Sequence, residues 1–275
     1  MFKILLLGSS GMFGHCLFEI LRRYKNIYCV GIARNVYNED DTISFDIHNF
    51  EGLKDIILDF NPEIIINCIG IIKQKIGSIP CEEFLYVNSV FPNILSFFCK
   101  DRGIKLLHIS SDCVFSGIKG NYREVDCPDP IDIYGTTKFL GEINDGFNIT
   151  IRTSIIGREY KNKLGLFEWF VSNKNKSVRG FKRCIFSGLT NKELSYVLVD
   201  YIIPNIKDVS GMYHISTDPI SKFDLLNIIN IEFNLGIRLI EDFSVSCDRS
   251  LNSDKFKREF LYKPKSFSDM IKDIK

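Results

Sequence analysis

The sequence predicts an α/β fold in which a parallel sheet carries helices on both faces. Three observations carry that expectation. Short apolar runs alternate with helical stretches through the first half of the chain. The first run leads straight into a glycine-rich turn, Gly8-Ser9-Ser10-Gly11-Met12-Phe13-Gly14. Further on, Tyr134 and Lys138 stand four residues apart in Tyr134-Gly135-Thr136-Thr137-Lys138, which places both side chains on one helix face. A strand, a glycine turn and a helix in that order form the phosphate-cradling opening of a doubly wound, Rossmann-type sheet.

The elements follow in chain order. Residues Phe2–Leu7 read as a buried strand and His15–Tyr24 as the helix after the glycine turn. Ile27–Ala33 is the second strand, and a further strand precedes Asp46 in Ile43-Ser44-Phe45-Asp46-Ile47. Glu51–Phe60 is helical until Pro62 breaks it, and Ile64–Cys68 is a strand. Cys81–Lys100 reads as one long helix kinked near Pro92, because proline lacks the N–H that a helix interior uses. Lys105–Ser110 is a strand, Tyr134–Ile143 a helix and Ile149–Ser154 a strand.

After Gly157 the rhythm changes. The stretch Lys161–Lys182 is basic and aromatic, with no clear strand–helix unit. Asn191–Ile203 reads as a helix, Met212–Ser216 as a strand and Ser221–Asn234 as a helix. The tail from Asp248 is polar and lysine-rich, with an ordered Leu261-Tyr262-Lys263-Pro264. The expected division is a nucleotide-binding domain over 1–158, with a return of 188–216, and a small C-terminal substrate lobe made of 159–187 and 217–275.

Composition narrows the function classes. A chain of 275 residues, 45% of them hydrophobic, suits a globular fold with a sizeable core. A net charge of +1 leaves no electrostatic footprint for nucleic acid. Nine cysteines at irregular spacing, with no CxxC pair, argue against a disulfide or zinc framework, and no metal-ligand cluster is visible, which leaves a divalent-metal requirement open. Several, such as Cys29 and Cys68, fall in apolar runs and read as small core residues. That usage suits a reducing compartment, and a cytoplasmic location is expected. No run reaches the ~20 apolar residues of a membrane span, and Phe2–Leu7 is too short for a signal core.

The glycine turn points to a dinucleotide. Its spacing is GxxGxxG, which permits a tight turn, close backbone approach to a pyrophosphate and close packing of helix on strand. The helix N-terminus then faces the phosphates. The residue that reads the adenosine ribose lies ~20 residues past the glycines. Here that place holds Arg34, in Gly31-Ile32-Ala33-Arg34-Asn35. An arginine accepts a 2′-phosphate where an acid repels it, so NADPH is expected, with NADH as the alternative. The Tyr–Lys pair suggests the chemistry beside it. An ammonium near a phenol favours the phenolate, and an unperturbed phenol with a pKa of ~10 is a poor catalyst at neutral pH.

Three segments then carry a resemblance. The glycine turn, His108-Ile109-Ser110-Ser111-Asp112-Cys113-Val114-Phe115-Ser116-Gly117 and Tyr134-Gly135-Thr136-Thr137-Lys138-Phe139-Leu140-Gly141-Glu142 occur in this order and spacing. Together they resemble the extended short-chain dehydrogenase/reductases, and among these the dTDP-4-dehydrorhamnose reductase family. The resemblance covers the nucleotide-binding part of the chain and extends more weakly beyond it. It implies that Ser111 binds a sugar keto oxygen, that Tyr134 is the general acid, and that Lys138 holds the nicotinamide ribose and tunes Tyr134. It implies cofactor contacts from Gly8, Gly11, Met12, Phe13, Gly14, Arg34, Asp46, Ile47, Cys68, Ile69, Gly70, Tyr134 and Lys138. Substrate contacts fall on Ser111, Asp112, Tyr134 and Ile155.

The implied reaction is NADPH-dependent reduction of the C4 keto group of a nucleoside-diphosphate 4-keto-6-deoxy sugar, in deoxysugar and polysaccharide biosynthesis. A homodimer stays open. An epimerase or 4,6-dehydratase on the same fold is the enzymatic alternative, but Ser111-Asp112 lacks the Asp-Glu-type pair usual in dehydratases. An NADP(H)-sensing regulator is the non-catalytic alternative. Such proteins tend to lose the tyrosine or lysine, and both are present here.

Some residues depart from the family or read two ways. Ile155 stands where rhamnose-pathway members carry tryptophan, and Cys113 where tyrosine is frequent, so the sugar's stereochemistry is expected to be read by Trp169 to Phe186. Ile69 is bulkier than the family's residue there. Cys113 reads as packing, since no activating base is visible. His15 and His108 read as structural. Asp112 either bonds the sugar or shapes its turn. Asn88 either bonds backbone near the active site or is a capped or exposed residue. Lys182 and Arg183 either meet a diphosphate or form a solvated basic face.

Overall fold

The computed structural model describes residues 1–35, 40–161 and 163–275. The first half runs β1 (Phe2–Leu7), α1 (Met12–Leu21), β2 (Ile27–Ala33), β3 (Thr42–Ser44), α2 (Phe50–Phe60), β4 (Ile64–Asn67), α3 (Cys81–Leu85), α4 (Phe91–Asp101), β5 (Lys105–Ile109), α5 (Ile133–Leu140) and β6 (Ile149–Arg152). These strands and β10 (Gly211–His214) form one seven-stranded sheet in the order β10-β6-β5-β4-β1-β2-β3. Every pairing in it is parallel. The order reverses between β1 and β4, and ligands of such sheets bind at the carboxyl ends of the strands beside that reversal.

Both faces of the sheet are covered, which is why its strands read as unbroken apolar runs. On one face Ile4, Leu6, Ile64, Ile66 and Leu107 pack against Leu17, Phe18 and Leu21 of α1 and against Leu194 and Val197. On the other, Leu5, Leu7, Ile65 and Leu106 pack against Leu53 and Ile57 of α2 and Phe91 and Leu95 of α4.

Two early elements differ from the sequence reading. Helix α1 starts at Met12, not His15, because extended Gly11 serves directly as its N-cap. The expected helix Cys81–Lys100 is divided. A single π-turn, Tyr86–Val90, separates α3 from α4, and Pro92 sits at the start of α4. The π-turn absorbs the hydrogen bond that Pro92 cannot donate. It also leaves the Asn88 carbonyl facing Gly141, where a Cβ would collide with it.

The second half contains β7 (Ile155–Ile156), α6 (Leu166–Val171), β8 (Ser177–Phe186), β9 (Leu189–Thr190), α7 (Asn191–Val197), β11 (Ile220–Ser221), α8 (Lys222–Glu232), β12 (Arg238–Asp248), α9 (Asp254–Phe260) and α10 (Phe267–Asp273). Strands β11, β8 and β12 form a separate sheet, and β7 pairs with β9. The expectation of no strand–helix unit over Lys161–Lys182 is corrected by α6 and by β8; Asn162 lies outside the described residues. Strand β8 escapes a local reading because its main partner, β12, lies far along the chain. The lysine-rich tail carries two helices. Phe256 on α9, and Phe267, Met270 and Ile271 on α10, are buried in the same core as the sheet, while the intervening charges face solvent.

Candidate active site

A cavity of about 640 Å³ lies over the carboxyl ends of the central strands and against the smaller sheet. The glycine turn forms one end of it. Gly8 takes φ +88°, a conformation that favours glycine, and a Cβ there would lie 3.1 Å from the Cys68 carbonyl carbon and Ile69 N. A Cβ on Gly14 would collide with the Gly8 carbonyl. The turn is thus pressed onto both the end of β4 and the start of α1. Gly11, Met12, Phe13 and Gly14 line the cavity, whereas Gly8 supports them from behind.

Arg34, exposed beyond β2, also lines this end, and its carbonyl accepts a bond from Ser44 Oγ at 3.0 Å. Asp46 and Ile47 stand outside the lining. The Asp46 carboxylate accepts from the His48 backbone N–H at 3.0 Å and lies 2.7 Å from His48 Nδ1, contacts that hold its pKa below the usual range. The Ile47 carbonyl accepts from the Tyr86 hydroxyl at 3.2 Å.

Cys68, Ile69 and Gly70 form the floor where β4 ends. A Cβ on Gly70 would lie 3.3 Å from Asn88 Oδ1 and 3.9 Å from Lys138 Nζ. Asn88 is fully buried and spans three groups. Its Oδ1 accepts from Ile71 N at 2.8 Å, and its Nδ2 donates to Ile71 O at 3.1 Å and to Thr137 Oγ1 at 3.2 Å. Of its two readings the structure gives the backbone-bonding one, and Asn88 thereby ties the floor to α5.

Helix α5 brings the Tyr–Lys pair to the cavity. Asp132 caps it, accepting from Gly135 N at 2.8 Å, and pairs with Lys73 at 2.7 Å. Gly135 lies against the Cys113 carbonyl, where a Cβ would collide. That approach brings Tyr134 to the Ser111 turn, and both residues line the cavity. Ser111 Oγ donates to Asp112 Oδ1 at 3.2 Å and accepts from Cys113 N at 3.1 Å. Asp112 N donates to Thr153 O at 3.2 Å, anchoring the turn to the end of β6.

Lys138 is 4% exposed and its ammonium donates to Ile109 O at 2.6 Å. Burial lowers its pKa to about 8, against the opposing pull of Glu142 and Cys68. The expected depression of the Tyr134 pKa by Lys138 is corrected here. Burial raises the Tyr134 pKa, with Cys113 adding to the rise and the neighbouring Ser111 hydroxyl opposing it. The ammonium is committed to the Ile109 carbonyl, so desolvation of the phenol prevails.

Other candidates fall outside the chemistry. Burial, then Asp112, pushes the Cys113 thiol up to about 12, so it is no ready nucleophile. His15 stacks on Tyr160 at 4.2 Å. His108 is buried with its Nδ1 3.2 Å from Asn67 Nδ2, and burial, then Lys138, keeps it neutral. Lys182 pairs with Asp224 at 3.1 Å and Glu241 at 3.6 Å, and Arg183 lies over the Phe243 ring; neither lines the cavity. Of the Trp169 to Phe186 segment only Cys184, Ile185 and Phe186 reach the lining, alongside Ile155.

Sequence reasoning missed the cations at the far end: Lys73, Lys75, Lys222 and Arg249. Arg249 follows β12, donating through Nε to Phe115 O at 2.8 Å and contacting Cys113 Sγ through Nη1 at 3.7 Å. No motif surrounds it, and only the folding of β12 onto β8 brings it to the Ser111 turn.

Among the described residues no cluster of three or more His, Cys, Asp or Glu could hold a metal ion. No helix among them is long and apolar enough to cross a membrane.

Comparison with known proteins places these features in a family. The chain is 28% identical over 141 residues to the probable low-salt glycan biosynthesis reductase Agl14 of Haloferax volcanii, covering 49% of this chain and 46% of that protein. It thus spans a little under half the length of that relative. It is 27% identical over 233 residues to a dTDP-4-dehydrorhamnose reductase of Aggregatibacter actinomycetemcomitans, covering 80% of this chain and 74% of the relative. The crystal structure of dTDP-4-dehydrorhamnose reductase from Bacillus anthracis in complex with NADP superposes with a TM-score of 0.82 at 21% identity, covering 100% of this chain and 98% of that one, which establishes the shared fold. A family model described as the RmlD substrate binding domain matches residues 2–274. With nearly its whole length matched, the chain belongs to the RmlD substrate binding domain family.

Proposed function

We propose that this protein reduces the C4 keto group of a nucleoside-diphosphate 4-keto-6-deoxy sugar with NADPH. The observation that carries the reading is the convergence of Ser111, Tyr134 and the buried Lys138 on the same cavity as the glycine turn. The residues present fit a dinucleotide. The turn, packed tightly through Gly8 and Gly14, brings Gly11 and the N-terminus of α1 to the cavity, Arg34 suits a 2′-phosphate, and Lys138 lines the same cavity. NADP in the Bacillus anthracis relative supports the same nucleotide.

When bound, NADPH supplies the hydride that the keto carbon accepts. The Ser111 hydroxyl, which donates to Asp112 in the free protein, turns to donate to the keto oxygen and holds it against Tyr134. As charge develops on that oxygen, Tyr134 releases its phenolic proton to it. A raised pKa suits this direction, because the phenol stays protonated at neutral pH until the alkoxide forms. Lys138, charged below about pH 8, steadies the negative charge left on the phenol. Lys222, Lys73 and Arg249 supply positive charge for the diphosphate. No Asp-Glu-type pair follows Ser110, which disfavours a dehydratase.

The test is NADPH oxidation against a panel of 4-keto-6-deoxy sugar nucleotides, with product stereochemistry read by NMR. Turnover of at least one is expected. With Ile155 and Cys113 in place of larger side chains, turnover is expected to extend beyond dTDP-4-dehydrorhamnose. Cofactor binding without oxidation by any member of the panel would overturn the reading.

A further inference from the structure

We propose that Cys184 and Cys247 form a vicinal dithiol in the cavity wall that closes to a disulfide on exchange with a low-molecular-weight disulfide, and that closure weakens ligand binding at that end of the cavity. The two residues stand opposite each other in the register of the parallel pair β8–β12. Neighbouring strands run ~4.8 Å apart, within the ~4.4–6.8 Å separation of Cα atoms that a disulfide spans. Both cysteines are among the residues that line the cavity.

Neither thiol is held strongly where it is. Cys184 Sγ lies 3.7 Å from Val245 O, and Cys247 Sγ lies 3.9 Å from Ser116 O. These are weak sulfur–carbonyl contacts that are readily given up. Val245 belongs to the irregular stretch between Asp242 and Ser246, where the β8–β12 register shifts just before Cys247. A bulge of this kind bends and twists its strand, which gives β12 an adjustability that a regular parallel pair lacks. Burial raises the Cys184 pKa, Lys222 and Arg249 oppose the rise, and Cys247 and Asp242 add to it, so Cys184 suits the second, resolving step rather than the first attack.

The exchange balances without any group the protein lacks. Cys247 is the more exposed of the two. Its thiolate attacks one sulfur of a disulfide RSSR, the S–S bond breaks, and one thiol RSH departs after taking a proton. Cys184 loses its proton and attacks Cys247 Sγ in the mixed disulfide, expelling the second RSH. Two cysteine sulfurs are oxidised and one RSSR is reduced to two RSH.

Closure has a consequence for the cavity. Cys247 Sγ packs so closely on Gly117 that a Cβ there would lie 2.5 Å away. Two residues on, Arg249 clasps Phe115 O and Cys113 Sγ, next to Ser111. Drawing Cys247 toward β8 pulls this clasp away from the Ser111 turn. This last step rests on the proposed nucleotide-sugar reading, whereas the dithiol itself does not.

The experiment treats the full chain with glutathione disulfide, removes the excess, and maps linked peptides by mass spectrometry. A Cys184–Cys247 link, with the mass lower by two hydrogens, is expected. In Cys184→Ser a glutathione adduct should remain on Cys247, and in Cys247→Ser no link should form. A lasting adduct on Cys247 in the wild type, a link to another cavity cysteine, or no modification at either residue would overturn the dithiol. Binding of dTDP, UDP, GDP and CDP is then compared before and after oxidation. For those that bind, a loss of about tenfold, reversed by dithiothreitol, is expected. Unchanged affinity in linked protein overturns the gating. If none of dTDP, UDP, GDP and CDP binds reduced protein, the nucleotide-sugar reading fails, and the dithiol stands or falls on the peptide map alone.

Discussion

The Lys138 ammonium donates to the Ile109 carbonyl at 2.6 Å, at the end of β5 and almost out of contact with solvent. The charge is retained there at a cost. With the pKa lowered from 10.5 to about 8, the unfolded chain binds more protons than the folded one between those two values. Stability gains from this group as pH rises through that window, and below about pH 8 the full penalty remains.

Lys138→Met should therefore make the protein more stable at pH 7, by roughly 1–3 kcal/mol, while abolishing turnover. Urea unfolding at pH 7 and again near pH 10 checks this. The mutant's advantage should shrink at the higher pH, and an advantage that does not change with pH would show that packing rather than charge is responsible.

The same titration should appear in catalysis. In the free enzyme Lys138 neutralises as pH rises through about 8, whereas burial keeps Tyr134 protonated well beyond that. The expected profile of kcat/KM for reduction is a decline on the alkaline side of about pH 8. A profile flat to pH 10 would remove the catalytic role of the ammonium.

Tyr134→Phe keeps the ring and removes the proton donor. Turnover should fall ~10²-fold or more, with NADPH affinity measured by fluorescence unchanged. A mutant that keeps more than about a tenth of the wild-type rate is incompatible with Tyr134 as general acid.

Gly135→Ala tests the packing that presents Tyr134. The new methyl would strike the Cys113 carbonyl, so α5 must shift. A stability loss of about 1–3 kcal/mol is expected, with kcat falling more than cofactor affinity, because the glycine turn lies at the other end of the cavity. Wild-type kcat in a folded Gly135→Ala variant would show that the contact does not position Tyr134.

Arg34 should set nucleotide preference. Its side chain is exposed at the cavity rim, and a charge-assisted contact to a 2′-phosphate is worth ~1.5–3 kcal/mol. Arg34→Ala should lower NADPH affinity roughly ten- to a hundredfold and leave NADH kinetics nearly unchanged. Equal use of both nucleotides by the wild type would reduce Arg34 to a surface residue.

The sequence by itself determined the parts whose signals are local. A strand such as Phe2–Leu7, buried on both faces, must be apolar throughout, and a turn pressed against strand and helix must be glycine. These are properties of a few consecutive residues, so the sheet, the glycine turn and the Tyr134–Lys138 pair were legible without coordinates. The tertiary structure decided whatever depends on residues far apart in the chain. Strand β8 exists because β12 pairs with it, and the tail helices exist because Phe256, Phe267 and Met270 reach the common core. Arg249 reaches the Ser111 turn only through that pairing, and Cys184 meets Cys247 only in its register. The Tyr134 pKa illustrates the division most sharply. Spacing alone suggests an ammonium that lowers it, but the sign was set by burial and by the Ile109 carbonyl that engages the ammonium, and neither is written within one turn of helix.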